Sequence, residues 1–343
     1  MRKSFYLNIF ILAVLAFAQW GCRDGKRASL QDSAALPDKT LFENGVDYLD
    51  RNQFIKARLS FQTLINAYDE SPYLERAKYY IAYSFMREGG VDNLLQSEQA
   101  YRDFRLFFPT SELADDAQAY IVEINMKMMH APNRDLKYTQ RAEGEINRFL
   151  VDFPNSSLRE EIELRRLFVH DVLATSLLMK GQFYHKRKQY KAAVARLRDS
   201  VSRYRNFGRR DEALFLLADA LDHVKNFDES ATYYAQIALG YPFSEYFSKS
   251  RDRLKSLEKP IPDVDAKLAE ENRKTYYKSD SIFTSPFKSI FGTIGIGDED
   301  PMWAAMAKRR TEIEKERIKA DAGKPTDGGS EKKKKSDKNK SNS

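Results

Sequence analysis

The stretch LLMKGQFYHKRKQYKAAVARLRDSVSRY, Leu177 to Tyr204, sets two helical apolar periods on either side of a short polar turn. Tyr184, Tyr190, Leu197 and Val201 recur at helical spacing and so form one stripe. Gly181 and Ala193 withhold bulk where two helices must approach closely. Such a helical hairpin cannot cover its own stripe, so it needs neighbours stacked against it.

The neighbours are written in the same register. Eleven positions after a small residue stands an aromatic: Ala57 leads to Tyr68, Ser97 to Phe108, Ala142 to Phe153, Ala193 to Tyr204 and Ser230 to Tyr241. Four positions after each small residue come Phe61, Tyr101, Ile146, Leu197 and Tyr234, on the same helix face. Breaks follow at Ser71-Pro72, Pro109-Thr110-Ser111, Pro154-Asn155-Ser156, Asn206-Phe207-Gly208 and Pro242-Phe243-Ser244. Proline stops a helix, and Ser or Asn can cap the next. Five units in register follow the grammar of the tetratricopeptide (TPR) repeat. The expected fold is all-α, a right-handed superhelical array of about five degenerate TPR hairpins with an irregular carboxy-terminal extension.

The chain has 343 residues, 42% of them hydrophobic, enough for one long solenoid. Nineteen Tyr and 22 Phe suit hairpins that interlock through aromatic wedges. The formal charge of +7 says little about fold. Much of the excess sits in a tail containing Lys332 to Lys335, and no nucleic-acid partner is expected of an exported chain.

Residues 1–22 read as a targeting segment. Arg2 and Lys3 precede the apolar run Phe5 to Ala18, which is too short for the ~20 residues of a membrane span. The run ends at Gly21-Cys22, and Cys22 is the sole cysteine. This resembles a bacterial lipobox, although Gln19 and Trp20 replace the usual aliphatic and small residues. The expectation is acylation at Cys22 and anchoring by lipid chains, each buried CH₂ contributing about 0.8 kcal/mol. An ordinary secretory signal is the alternative. Arg23 follows the cysteine, so nothing argues for retention at an inner membrane.

Residues 23–37 read as a polar tether, 38–257 as the solenoid, 258–322 as an extension and 323–343 as a disordered Lys-rich tail. Within the solenoid, Glu88 to Asp92 is longer than the motif wants, and a protruding loop is expected. The cluster Met126-Lys127-Met128-Met129 reads as core at a helix end. A long helix over Ser157 to Arg187 doubles as the first helix of the fourth hairpin, and Phe243 to Leu257 closes the stack. In the extension, Pro286 to Gly297 is apolar and aperiodic, suited to packing or to a partner. Asp300-Pro301 opens a charged helix reaching about Ala320.

No chemistry of an enzyme is legible. The histidines His130, His170, His185 and His223 fall in different repeats without metal-ligand spacing, so no metal or cofactor is expected. Gly292, Gly295 and Gly297 lack the Lys-Ser/Thr of a phosphate loop.

The third unit carries Arg134-Asp135, Thr139, Ala142, Phe149 and Pro154-Asn155-Ser156. The fourth carries Gly181-Gln182-Phe183-Tyr184, Tyr190-Lys191-Ala192-Ala193 and Arg196. On these motifs, from about Pro37 to Leu257, the chain resembles the BamD family, lipoprotein subunits of the outer-membrane β-barrel assembly machine. The extension lies outside the resemblance. The resemblance implies an outer-membrane lipoprotein facing the periplasm, a scaffold for POTRA domains of the barrel-forming subunit BamA and for unfolded outer-membrane proteins. It also implies that Arg196 contacts the POTRA domain nearest the membrane, where its guanidinium fork suits a partner carboxylate. The other reading of Arg196 is an exposed helix charge. Clients would be met near the first two hairpins, where Phe42, Leu49, Tyr79 and Tyr83 are groove candidates, with inter-helix packing as the alternative. A different TPR lipoprotein, coordinating cell division or envelope maintenance, is the competing function. Such coordinators usually carry a coiled coil before the repeats, and none is visible between Cys22 and Thr40.

Overall fold

A computed structural model describes residues 38–274 together with 312, 314–318 and 320. Among them there is no strand. The leader with Cys22, the tether, Pro286 to Gly297 and the Lys-rich tail lie outside the described residues. Five helical hairpins follow in order. They are α1 (Asp38–Asp50) with α2 (Phe54–Ala67), α3 (Leu74–Glu88) with α4 (Val91–Phe107), and α5 (Ala114–Lys127) with α6 (Lys137–Asp152). Next come α7 (Arg159–Lys186) with α8 (Tyr190–Arg203), and α9 (Arg210–His223) with α10 (Phe227–Gly240). Each helix packs on the one before it and the one after it, so the chain is an array of helix pairs.

The repeated residues occupy repeated places. Ala57, Ser97, Ala142, Ala193 and Ser230 are wholly buried, and the bulky residues four positions on are buried beside them. The aromatics of the +11 position are the C-cap residues of α2, α4, α6, α8 and α10. Each turns its backbone N–H onto the carbonyl four residues back, satisfying one of the orphan groups at a helix end. Opposite the small residues the first helices are pared down as well. A Cβ on Gly45 would lie 2.5 Å from the Phe61 ring, and one on Gly181 would lie 2.5 Å from Leu197. These two glycines are therefore fixed by contact, not by backbone angle.

Turns within the first, fourth and fifth hairpins are alike. Asn52, Lys188 and Lys225 take positive φ values of 56, 60 and 64° just past the first helix. The next N–H reaches back five residues, from Gln53 to Tyr48, Gln189 to Tyr184 and Asn226 to Leu221. This is the Schellman close. The second hairpin departs from expectation. No loop protrudes at Glu88 to Asp92, because Gly89 and Gly90, with φ of 75 and 83°, turn the chain directly into α4. The glycines allow a left-handed pair that other residues would resist.

Successive hairpins are joined by a bridge that repeats. The Ser71 hydroxyl donates to Asp38 at 2.6 Å, Ser156 to Asp115 at 2.7 Å and Ser244 to Asp211 at 2.5 Å, and Ser111 donates to Glu75. Each hydroxyl also accepts the N–H two residues on, that of Tyr73, Leu158, Tyr246 or Leu113. One serine thus opens the next first helix and ties it to the previous one. At the fourth junction the Gly208 N–H takes this role, donating to Asp171 at 2.8 Å. Asp171 lies twelve residues inside α7, so the amino-terminal third of α7 precedes the repeat register. That explains how one helix belongs to two hairpins.

Between the second and third hairpins the filling is charged. Arg102 bridges Glu98 at 2.7 Å and Glu145 at 2.6 Å, and Arg141 reaches Glu98 at 2.8 Å. Burial pushes the Glu145 carboxyl up, but the hydrogen bonds from Arg102 and Gln118 outweigh it and hold the group below its ordinary value. Apolar packing gathers on either side. An aromatic cluster around Phe42, Phe61, Tyr79 and Tyr101 fills the first hairpins, and an aliphatic one around Ile146, Val169, Leu197 and Leu217 fills the later ones. Met126, Met128 and Met129 are buried as expected. At the far end α11 (Phe247–Ser256) closes the stack, followed by a helix at 266–274 whose Asn272 donates to the Gly240 carbonyl at 2.9 Å.

Gly45→Ala is expected to lower stability by about 1–3 kcal/mol, because the new methyl meets a ring locked among aromatics. Gly144→Ala, with open space around it, is expected to leave stability unchanged or raise it by roughly 0.5–1 kcal/mol. Chemical denaturation of the two variants checks this, and equal stabilities would contradict the close approach.

Candidate docking site

The residues that carry the resemblance meet in one place. Arg134, in the loop before α6, joins Met179, Lys180, Phe183 and Tyr184 of α7 and Arg196 of α8 around a cavity of about 620 Å³. The helix period explains the convergence. Residues 176, 179, 180, 183 and 184 of α7 recur at three and four, so they share a face. Arg196 is brought alongside because Leu197, its neighbour, seats on Gly181. Arg196 lies three residues after Ala193, the crossing residue, and is exposed.

The lining has three cations and no acid. Arg134, Lys180 and Arg196 are all exposed. At the base the Ser176 side chain is buried, and its hydroxyl has no hydrogen-bond partner among the described residues. Phe183 is 49% exposed and Met179 37%, an apolar shelf that a lone domain would ordinarily cover. The Arg187 guanidinium stacks 4.2 Å from the Phe183 ring. Surplus positive charge beside a half-exposed ring suits a partner offering a carboxylate next to an apolar side chain.

On the next face, hairpins four and five are bound by a titratable group. His185 Nε2 lies 2.6 Å from Asp219 Oδ2, and His223 lies 3.6 Å from the same oxygen while stacking on Tyr190 at 3.9 Å. The hydrogen bond with His185 holds the Asp219 carboxyl below the usual range, against the opposing pull of burial. Among the described residues no three His, Cys, Asp or Glu side chains are grouped to hold a metal ion.

Of their two readings, the groove candidates follow inter-helix packing. Phe42, Leu49, Tyr79 and Tyr83 are each at most 2% exposed, so as they stand they pack and do not line an open groove. The cause is aromatic interlock: Phe42 stacks on Tyr73 at 4.7 Å, and Tyr79 meets Tyr101 and Phe104 edge-on, both at 5.5 Å. Over α3 and α5 lies a further helical segment, residues 312, 314–318 and 320, from the far end of the chain. Its Arg317 pairs with Asp116 at 2.8 Å, and its Ile318 is buried in the aromatic cluster. Sequence reasoning placed that helix but not its seat. Met179, Lys180 and Ser176 were also missed as lining residues, though the three- and four-residue spacing from Phe183 was there to be read.

The family described as YfiO, outer membrane lipoprotein, matches residues 34–232. The chain belongs to this family. It is similar to the outer membrane protein assembly factor BamD of Rickettsia prowazekii, with 25% identity over 240 residues, 69% of this chain and 92% of that protein. The factor of the same name from Xylella fastidiosa Temecula1 is 22% identical over 66% of this chain and 80% of its own length. That of Caulobacter vibrioides is 22% identical over 70% of this chain and 78% of its own. Among solved structures, the TPR2AB domains of yeast Sti1 match with a TM-score of 0.37 and 10% identity across 84% of this chain and 98% of that one, a likeness below what fixes a shared fold.

Because the folded Asp219 carboxyl is depressed, its contribution is fully present above the unfolded carboxylate value, near 3.9, and fades as pH falls through the lower folded value. Asp219→Asn is therefore expected to cost about 1 kcal/mol near neutral pH, discounted for partial exposure. That deficit should vanish in strong acid. Denaturation across pH checks this, and a deficit that persists in strong acid would contradict it.

Proposed function

We propose that this member of the YfiO family is a lipid-anchored scaffold of outer-membrane β-barrel assembly, facing the periplasm and acting by presenting surface. The observation that carries the reading is the cavity at hairpins three and four. It joins the three cations Arg134, Lys180 and Arg196 to the exposed ring of Phe183. In this reading Arg196 grips a carboxylate of a POTRA domain of the barrel-forming subunit, while Phe183 and Met179 supply the apolar contact. Arginine suits the task better than lysine because its planar fork binds both carboxylate oxygens at once. The assembly-factor names of the relatives support the role. Acylation of Cys22 would hold the scaffold to the membrane; no described helix is long and apolar enough to cross one. Unfolded outer-membrane clients are assigned to the first two hairpins and the adjoining face of α5, not to the packed rings of Phe42 and Leu49.

Arg196→Glu is expected to reduce co-purification of the POTRA-bearing subunit from solubilised membranes by about tenfold or more, as loss of a charge-assisted contact implies. Arg196→Lys should fall in between, and helical content should not change. Unaltered co-purification of the Glu variant would overturn the reading, and lost helicity would show that Arg196 is structural.

A further inference from the structure

The carboxy-terminal helix is joined to the array by a long connection, 275–311, yet it sits on the first hairpins. Glu314 and Ile318, four residues apart, are buried, with Arg317 half-buried between them; 312, 315, 316 and 320 are exposed. That is an amphipathic helix laying one face into a groove. Arg317 donates to Asp116 of α5 at 2.8 Å and to Glu314 of its own helix at 3.3 Å. Ile318 joins the cluster of Tyr79, Tyr83, Tyr120 and Ile121. The floor is therefore α3 and α5, the first helices of two adjacent hairpins.

Two features make this occupancy exchangeable. A helix of about this length is marginal by itself, so it holds its shape only while seated. Among the described residues its seat on the groove includes the Arg317–Asp116 ion pair and the buried Glu314 and Ile318 side chains, on a face that elsewhere presents tyrosine. The ion pair is firm locally: burial opposes the Arg317 charge, but Asp116 and Glu314 outweigh it and raise the group.

We propose that the face of α3 and α5 is a helix-binding groove whose resident ligand is the chain's own carboxy-terminal helix, and that another protein segment gains this face only by displacing it. The second half rests on the client assignment above; the first half does not. The ligand chemistry is an apolar side chain one residue after an arginine, presented on a helix to Asp116 and the tyrosines.

The probe is a fluorescent peptide of residues 308–321, read by anisotropy against the full chain. Arg317→Glu with Ile318→Asp in the full chain unseats the resident helix, and the peptide is expected to bind that variant at least tenfold more tightly than the unaltered chain. Equal binding to variant and unaltered chain overturns the proposal. A peptide from the last strand of an outer-membrane barrel, ending in an aromatic, is then added as competitor. Displacement of the probe supports both halves, whereas probe binding without displacement leaves the helix groove standing and removes the client assignment.

Discussion

Everything in this array depends on how closely two helices can cross. A small residue on the second helix, from Ala57 to Ser230, sits at the crossing, and at Gly45 and Gly181 the first helix has no side chain at all. Close crossing lets Phe61 and Leu197 fill the space a methyl would take. That contact fixes the relative rotation of the pair, and rotation decides which residues face outward. Arg196 is exposed because Leu197 is not. The docking cavity is thus a consequence of core packing, one residue out of phase with it.

Polar bonds then set how pairs stack. At four of the five junctions a serine binds the acid of the preceding first helix while opening its own, so one hydroxyl enforces both a helix start and a neighbour distance. Such bonds are individually modest, around 1 kcal/mol, but directional where apolar packing is not. The Glu98–Arg102–Glu145 chain serves the same end between the second and third hairpins. Breaking either partner there would leave a buried charge uncompensated.

Much of this was legible in the sequence, and the gaps have physical causes. The hairpins were readable because small residue, bulky residue and C-cap aromatic recur at fixed offsets, and each offset is a helix-geometry requirement. Ser71, Ser111, Ser156 and Ser244 were read as caps, yet their partners 33 to 41 residues away were not, since a hydrogen bond between repeats leaves no local period. Glu88 to Asp92 misled because length suggested a loop, while two glycines with positive φ turn in less chain. Phe42, Leu49, Tyr79 and Tyr83 left two readings open. An aromatic on a first helix looks alike in sequence whether it lines a groove or is sealed by its neighbours, and the seal over Tyr79 includes residues more than 200 positions away. Arg134 and Arg196 were named from their motifs, but only the fold shows that they share a cavity.

In the proposed reading the protein's work is to hold surfaces at set spacings: cations and a half-exposed ring at hairpins three and four, a tyrosine-rich face at one end. The most direct test of that account is a photo-reactive residue in place of Phe183, activated in intact cells. The account predicts an adduct with the POTRA portion of the barrel-forming subunit. Adducts confined to inner-membrane or peptidoglycan-synthesis proteins would contradict it.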